Sequence, residues 1–193
     1  MTKKEIIIQE ATRLFASKGF KGTSMAELSK LTTVAEGTIF YHFKTKEDIF
    51  LTILERVKNG IIEEFDAYIQ HKSFDDPMEM LEDVISFYLY LVGKNEDWFR
   101  ILNHPFSYDL ALNNSVCRDQ LEAIYNCLVD IFENAVSLIL NDPPLESIQK
   151  RKTALIIFSM VNGIIWFKLH HLYDAGALFQ ELLACCRKIL QNP

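Results

Sequence analysis

Apolar residues recur along most of the chain at the spacing of α-helices. In the first predicted helix they fall at i, i+4, i+7 and i+8, which places them on one face: Ile7, Ala11, Leu14 and Phe15. Gly19 follows this run and is suited to end the helix. The long alternation of polar and apolar residues that is typical of strands is missing. The pattern therefore predicts an all-α fold of about nine helices.

Two short helices are predicted after the first one. Ser24 and Glu27 have the spacing of a capping box, which opens a helix, and a third helix covers Glu36 to Phe43. Ile39 and Phe43 lie four residues apart and are expected in the core. Two short helices joined by a tight turn after a first helix form a helix-turn-helix arrangement. Generic packing of three helices gives the same pattern, so the spacing alone leaves both readings open.

Six further helices are predicted in the rest of the chain, and the sixth helix of the chain is short. Thr45 and Asp48 form a second capping box, and Pro105 is expected to end the sixth helix. The fifth helix contains "VISFYLYLV", which is apolar on nearly every side, as in a central helix. The six expected ranges are Lys46 to about His71, a helix from Pro77, Glu96 to Leu102, Ser115 to Leu140, Glu146 to Leu172, and Ala175 to Leu190.

Composition fits a globular protein. Of 193 residues, 49% are hydrophobic and 24% are charged, and the chain has no repeat and no low-complexity linker. The start, "MTKKEIIIQEATRLF", is not a signal peptide, and the longest uncharged apolar run, Ala154 to Phe167, is too short to span a bilayer. We expect a cytoplasmic protein. Cys117, Cys127, Cys185 and Cys186 lack C-x-x-C spacing and are expected to be buried reduced thiols, with redox sensing as the alternative.

Charge is distributed unevenly along the chain. The formal net charge is −6, which argues against a uniformly basic nucleic-acid binder. Residues 1–48, however, carry eight Lys and Arg against six Asp and Glu, a net charge of +2. The remaining residues, 49–193, have a net charge of −8. A mildly basic N-terminal segment therefore precedes an acidic body.

One segment resembles a known family. "GTIFYHFKTKEDIF", preceded by "FASKGFKGTSMAELSK", is similar to the N-terminal domain of TetR-family transcriptional regulators. The resemblance covers about Ile7 to Leu54, and the remainder matches only in helix count and length. It implies a helix-turn-helix DNA-binding domain at 1–48 and a ligand-binding and dimerisation domain at 49–193. It also implies a two-fold homodimer on a palindromic DNA operator, without a cofactor. Such regulators usually repress and are released by a small molecule.

The resemblance assigns the DNA contacts residue by residue. Gly37 lets the backbone approach DNA closely, and Thr38 can donate to phosphate or touch a thymine methyl group. A lysine at position 46 is poor for the helix dipole, which a phosphate partner would explain. No second ligand at helical spacing supports His42 as a metal ligand. The full set of expected DNA contacts is Ser24, Met25, Ala35, Glu36, Gly37, Thr38, Phe40, Tyr41, His42, Lys44 and Lys46.

The chain departs from the family pattern at three positions. Thr33 stands where the turn usually has glycine, and Ala35 replaces the common serine that would cap the third helix. Glu36 occupies a position that is often basic or small and close to DNA. A carboxylate there is repelled by phosphate but can accept from a cytosine N4 amine. These departures bear on the operator sequence and leave the fold unchanged.

The last two predicted helices are too apolar for a monomer's surface, so we expect a dimer interface there, or else that they cover only their own core. The expected interface residues are Ile156, Gly163, Phe167, Phe179, Leu182, Leu183 and Cys186. Few charged residues interrupt the helices expected around a cavity, which favours a hydrophobic or aromatic effector. The expected effector contacts are Phe65, Phe87, Tyr88, Trp98, Phe99, Phe106, Tyr125, Phe158, Asn162 and Trp166.

The sequence thus favours a ligand-responsive dimeric DNA-binding repressor. The alternative is a DNA-binding structural or protein-interaction factor without an effector. An enzyme is disfavoured because G-x-S-x-G, Walker and H-E-x-x-H motifs are missing, as are Cys/His clusters at metal-ligand spacing.

Overall fold

A computed structural model describes residues 1–70, 72–74, 76–140 and 147–191 of the chain. These ranges contain helices and no strand, which confirms the all-α fold class. The α-helices are α1 (Lys3–Lys18), α2 (Met25–Thr32), α3 (Glu36–His42), α4 (Lys46–Ile69), α5 (Pro77–Lys94), α6 (Glu96–Leu102), α7 (Pro105–Asn113), α8 (Ser115–Ile139), α9 (Ser147–Leu169) and α10 (Phe179–Gln191), with a 3₁₀ turn at Ala175–Leu178 before α10.

The described residues form two compact units. Unit one comprises Met1–Glu63 and Asp97–Ile124. It contains α1 to α3, most of α4, α6, α7 and the start of α8. Four phenylalanine rings pack together in it, with centroid separations of 4.0 to 6.1 Å: Phe15, Phe20, Phe50 and Phe106. The predicted division by function at residue 48 stays a prediction, since packing groups the chain differently.

Unit two comprises the described residues within Glu64–Glu96 and Tyr125–Pro193. Its core also contains an aromatic cluster, in which Tyr88 packs against Phe132 at 5.9 Å and Phe158 at 6.0 Å between ring centroids. The Tyr88 hydroxyl donates to Oδ1 of Asn162 at 3.1 Å. This polar pair inside an aromatic cluster keeps the buried hydroxyl satisfied.

Several helices begin at the side chains that the sequence indicates. The Ser24 hydroxyl accepts from the Glu27 N–H, and Thr45 and Asp48 exchange hydrogen bonds at 2.9 and 3.1 Å. Asp76 caps α5 by accepting from Met78 N–H at 2.9 Å, with proline at the first helical position.

Helix α7 corrects the sequence prediction, which expected Pro105 to end the sixth helix. Pro105 instead begins a helix, and Nδ1 of His104 accepts from Phe106 N–H at 3.1 Å as its N-cap. Proline is well suited to the first helical position because its missing N–H has no intrahelical partner there. At the other predicted boundaries, α9 ends at Leu169 rather than Leu172, while His71 and Glu146 lie outside the described residues.

The cysteines follow the prediction in part. All four are thiols rather than disulfides; Cys117 and Cys186 are buried, Cys127 is half-buried, and Cys185 is exposed. Burial raises the pKa of the Cys117 and Cys186 thiols to about 11, so both stay protonated near neutral pH. Among the described helices, α9 alone has the length and apolar composition to cross a membrane, which is weak evidence because core helices share both properties.

Candidate nucleic-acid interface

Polar side chains hold the turn between α2 and α3. The Thr32 hydroxyl donates to Leu28 O at 2.6 Å and accepts from Val34 N–H at 3.3 Å, while the Ser29 hydroxyl donates to Val34 O at 2.7 Å. Val34 is buried beneath this turn. These contacts fix the angle between the two helices of the helix-turn-helix.

Thr33 ends α2 in the left-handed region, with φ 56° and ψ 20°. This conformation explains why the family usually has glycine at that position, because a β-branched side chain is strained at positive φ. The Thr33 hydroxyl donates to Thr32 O at 2.6 Å, so the side chain is used locally.

Helix α3 has two distinct faces. Ile39 and the following Phe43 are buried, as the sequence predicts. The opposite face carries Phe40, which is 43% exposed, and Tyr41, which is 78% exposed. A methyl group added at Gly37 would meet no atom within 4 Å, so this part of the helix surface is open. A nucleic acid that receives α3 in its groove can therefore reach the backbone at Gly37 and the rings beside it.

The start of α3 carries an exposed carboxylate and no side-chain cap. Ala35 makes no capping hydrogen bond, as its missing hydroxyl predicts. Glu36, Gly37 and Lys44 are exposed, whereas Thr38 and His42 are half-buried. In α2, by contrast, the Glu27 carboxylate is paired with Lys18, which holds the Glu27 pKa below its usual value. Glu36 is therefore placed where its charge would act on an approaching nucleic acid.

Lys46, which the sequence assigns to a phosphate contact, makes hydrogen bonds within its own unit. Its Nζ donates to Phe20 O at 2.6 Å and to Thr23 O at 2.7 Å, and it lies 4.2 Å from the centre of the Phe20 ring. Burial lowers the pKa of Lys46. Two of its three N–H donors thus join α4 to the α1–α2 turn. Ser24 and Met25, at the start of α2, are exposed and half-buried respectively.

The expected effector contacts fall into both units. Trp98, Phe99 and Phe106 belong to unit one, where Phe106 stacks on Phe20 and Trp98 lies against Gly60, whose added Cβ would come within 2.4 Å of the indole. The other seven belong to unit two. Phe65, Phe87, Tyr88 and Phe158 are buried there, whereas Tyr125 and Asn162 are half-buried.

Trp166 does not lie in the interior of unit two. Its ring is 42% exposed and stacks on His170 at 4.3 Å between centroids. Its assignment as an effector contact therefore stays a prediction.

The expected interface residues also divide. Ile156, Gly163 and Phe167 on α9 are exposed, and Phe179 is half-buried. Leu182, Leu183 and Cys186 of α10 are buried in their own unit, so their assignment to the interface stays a prediction. Sequence reasoning missed the exposed Leu155, since α9 is apolar on every side and its periodicity does not mark the outer face.

A groove of about 350 Å³ runs between α9 and α10. Its walls are almost entirely apolar, and the buried Leu182 contributes to it. The other lining residues are Met160, Gly163, Ile164, Phe167, Leu178, Glu181 and Cys185.

Comparison with known proteins agrees with this site. Residues 7–53 match the family of bacterial regulatory proteins called the tetR family. The HTH-type transcriptional regulator AcrR of Shigella flexneri is 34% identical over 42% of this chain, although the match spans only 38% of that protein. The fatty acid metabolism regulator protein of Bacillus subtilis is 24% identical over 92% of this chain and 90% of its own.

The whole fold matches as well. The transcriptional regulator FadR from Bacillus subtilis, solved in complex with stearoyl-CoA, has a TM-score of 0.73 at 23% identity and covers 94% of this chain and 96% of its own. The similarity to FadR therefore covers the fold of both the helix-turn-helix segment and the helices that follow it. Residues 7–53 thus match the tetR family of bacterial regulatory proteins, and the whole chain is similar in fold to the solved FadR regulator.

Proposed function

We propose that the protein is a DNA-binding transcriptional repressor that lays α3 in the major groove. The observation that carries this proposal is the division of α3 into a buried face and an open face. Ile39 is buried, while Gly37, Phe40 and Tyr41 are exposed together. A helix that presents rings, hydroxyls and accessible backbone suits phosphate and base-edge contacts.

Selection from a random library of duplex DNA tests the proposal. The recovered sites should contain two inverted half-sites, because a two-fold dimer reads a palindrome. Tyr41→Ala should weaken binding to the selected duplex, whereas Tyr90→Ala should not, since Tyr90 is a comparably exposed tyrosine on α5. Failure to enrich any sequence, or equal effects of the two substitutions, would refute DNA recognition by α3.

The repressor is further proposed to act as a homodimer through α9 and the groove beside α10. Exposed apolar side chains there, including Ile156 and Phe167, exceed what a monomer's surface helix needs. The buried Leu182 of α10 forms part of the groove wall.

A small hydrophobic effector is proposed to release the repressor. The Bacillus subtilis relative was solved with stearoyl-CoA, and unit two offers buried aromatic rings with one polar pair, Tyr88 and Asn162. Stearoyl-CoA is the first probe, with free coenzyme A as the control. Release from the selected duplex by the first alone would support an acyl-chain effector.

One observation favours the alternative of an interaction factor without an effector. Rings of unit two pack on one another, with Phe65 and Phe87 at 4.9 Å and Phe132 and Phe158 at 5.4 Å. In a closed core of this kind the apolar side chains are already packed against one another. Thermal shift against apolar ligands separates the two functions, because an effector that binds the folded state raises the melting temperature.

The same proposal places the protein in the cytoplasm, with no catalytic activity and no cofactor. The relatives compared above are transcriptional regulators, which are not enzymes. The described residues contain no group of three His, Cys, Asp or Glu side chains able to hold a metal ion.

A further inference from the structure

The turn between α1 and α2 is tightly folded. Gly19 ends α1 with φ 73°, and a Cβ on Gly22 would come within 2.5 Å of Lys18 O. The buried Thr23 hydroxyl donates to Gly19 O at 3.1 Å. This turn leads directly into the Ser24 cap of α2, so its shape sets where α2 begins.

Residues 103–107, which connect α6 to α7 and include the first turn of α7, pack on this turn; we call them the α6–α7 corner. The Phe106 ring stacks on Phe20 with centroids 4.0 Å apart and planes 7° from parallel. Phe106 also meets Phe50 of α4 edge-on at 5.3 Å. One side chain of the corner therefore contacts both the turn and α4.

His104 adds a second contact to the same turn. A Cβ on Gly19 would lie 3.1 Å from His104 Nε2 and 3.2 Å from Cε1, closer than ordinary packing allows. The other side of the ring caps α7 through Nδ1. The corner is fixed in turn by the buried Ser107 hydroxyl, which donates to Ile101 O at 2.6 Å. The imidazole thus fits the space that a glycine leaves, on a rigid support.

We propose that the α6–α7 corner, through Phe106 and His104, is a positioning element for DNA binding. It holds the α1–α2 turn from one side, while Lys46 holds the turn carbonyls from α4. Neither corner residue lies on the exposed face of α3. Each acts through the turn, by fixing α2 and α3 in the orientation that fits a groove. This inference rests on the proposed function for its DNA readout.

Phe106→Leu tests the inference because leucine removes the flat ring and keeps apolar bulk. Affinity for the selected duplex should fall about tenfold, within the usual range for coupling between separate sites. The salt dependence of binding should keep its slope, since the number of phosphate contacts is unchanged. Phe106→Tyr retains the ring and should bind the duplex with wild-type affinity.

Leu81→Ala is the control for lost stability, since Leu81 is fully buried in unit two. Both variants are compared at a temperature where they are folded by circular dichroism. Amide hydrogen exchange of the free protein adds a readout without DNA: in Phe106→Leu, residues 19–32 should exchange faster while unit two keeps its protection.

Two results would overturn the proposal: an affinity loss no larger than that of Leu81→Ala, or unchanged exchange at residues 19–32. If the wild-type protein binds no selected duplex, the proposed function fails. Hydrogen exchange then still decides whether the corner holds the turn.

Discussion

At the residue scale, Thr33 is expected to store strain. A non-glycine residue at positive φ is disfavoured by about 1–2 kcal/mol, and Thr33 has φ 56°. Thr33→Gly relieves this strain but gives the unfolded chain more freedom, which takes back roughly 0.5–1 kcal/mol. We therefore expect the free energy of unfolding to rise by about 0.5–1 kcal/mol, measured by urea denaturation.

Thr33→Ala is the control for this prediction. It removes the branched side chain but keeps a Cβ at the same backbone angles, so it should recover little of the gain. Equal stability of the glycine and alanine variants would show that the turn is not strained at this residue.

Lys46 and Lys44 are predicted to act differently on DNA binding. The Lys46 ammonium donates to two carbonyls of the α1–α2 turn, whereas Lys44 is exposed. Lys46→Met should lower the free energy of unfolding by about 1–3 kcal/mol, because hydrogen bonds from a charged donor are lost. Lys44→Met should leave stability unchanged and reduce the salt slope of operator binding by about 1 if Lys44 contacts a phosphate.

Thermal denaturation and a salt titration of DNA binding measure both effects. A Lys46→Met protein with wild-type stability and a reduced salt slope would show that Lys46 acts mainly on phosphate, as the sequence alone suggested. The sequence could place Lys46 in the first turn of α4. It could not show that carbonyls more than twenty residues away accept hydrogen bonds from its ammonium group.

At the element scale, the helices that begin with local signals were predictable. Ser24, Thr45 and Asp76 each cap the helix that follows, because capping depends on residues two or three apart. Helix α7 was missed since histidine is not among the usual capping residues and a proline is also common just after the end of a helix. The outer face of α9 was not predictable either, because only packing decides which side of a uniformly apolar helix is covered.

The cap of α2 separates a folding role from a binding role. Ser24→Ala removes the acceptor for Glu27 N–H and should lower stability by about 1 kcal/mol. Ser24→Asp keeps an acceptor and should retain stability, but it adds negative charge where a phosphate contact is predicted. We expect Ser24→Asp to weaken DNA binding more than Ser24→Ala does, as measured by fluorescence anisotropy at fixed salt. The reverse order would place Ser24 away from the DNA backbone.

At the scale of the whole molecule, the charge pattern fits the proposed DNA-binding function. Residues 1–48 have a net charge of +2 within a chain of −6, so the long-range field favours approach of DNA to the N-terminal helices. A palindromic site raises the affinity further, because two DNA-binding domains joined in a dimer bind far more tightly than one. The affinity of the protein should therefore depend on the apolar face of α9 as strongly as on α3.

Ile156→Asp tests that dependence. Ile156 is 52% exposed on α9, so a charge there should leave the subunit folded but disrupt a dimer that buries this face. Leu138→Asp is the matched control, because Leu138 on α8 is 53% exposed and lies outside the proposed interface. Analytical ultracentrifugation should show a monomer for Ile156→Asp and a dimer for Leu138→Asp. Operator affinity should fall by about 10²–10⁴-fold only for Ile156→Asp, since a single DNA-binding domain then binds alone. A dimer that survives Ile156→Asp with full affinity would place the subunit interface on another surface, and α9 would then need a different partner for its exposed side chains.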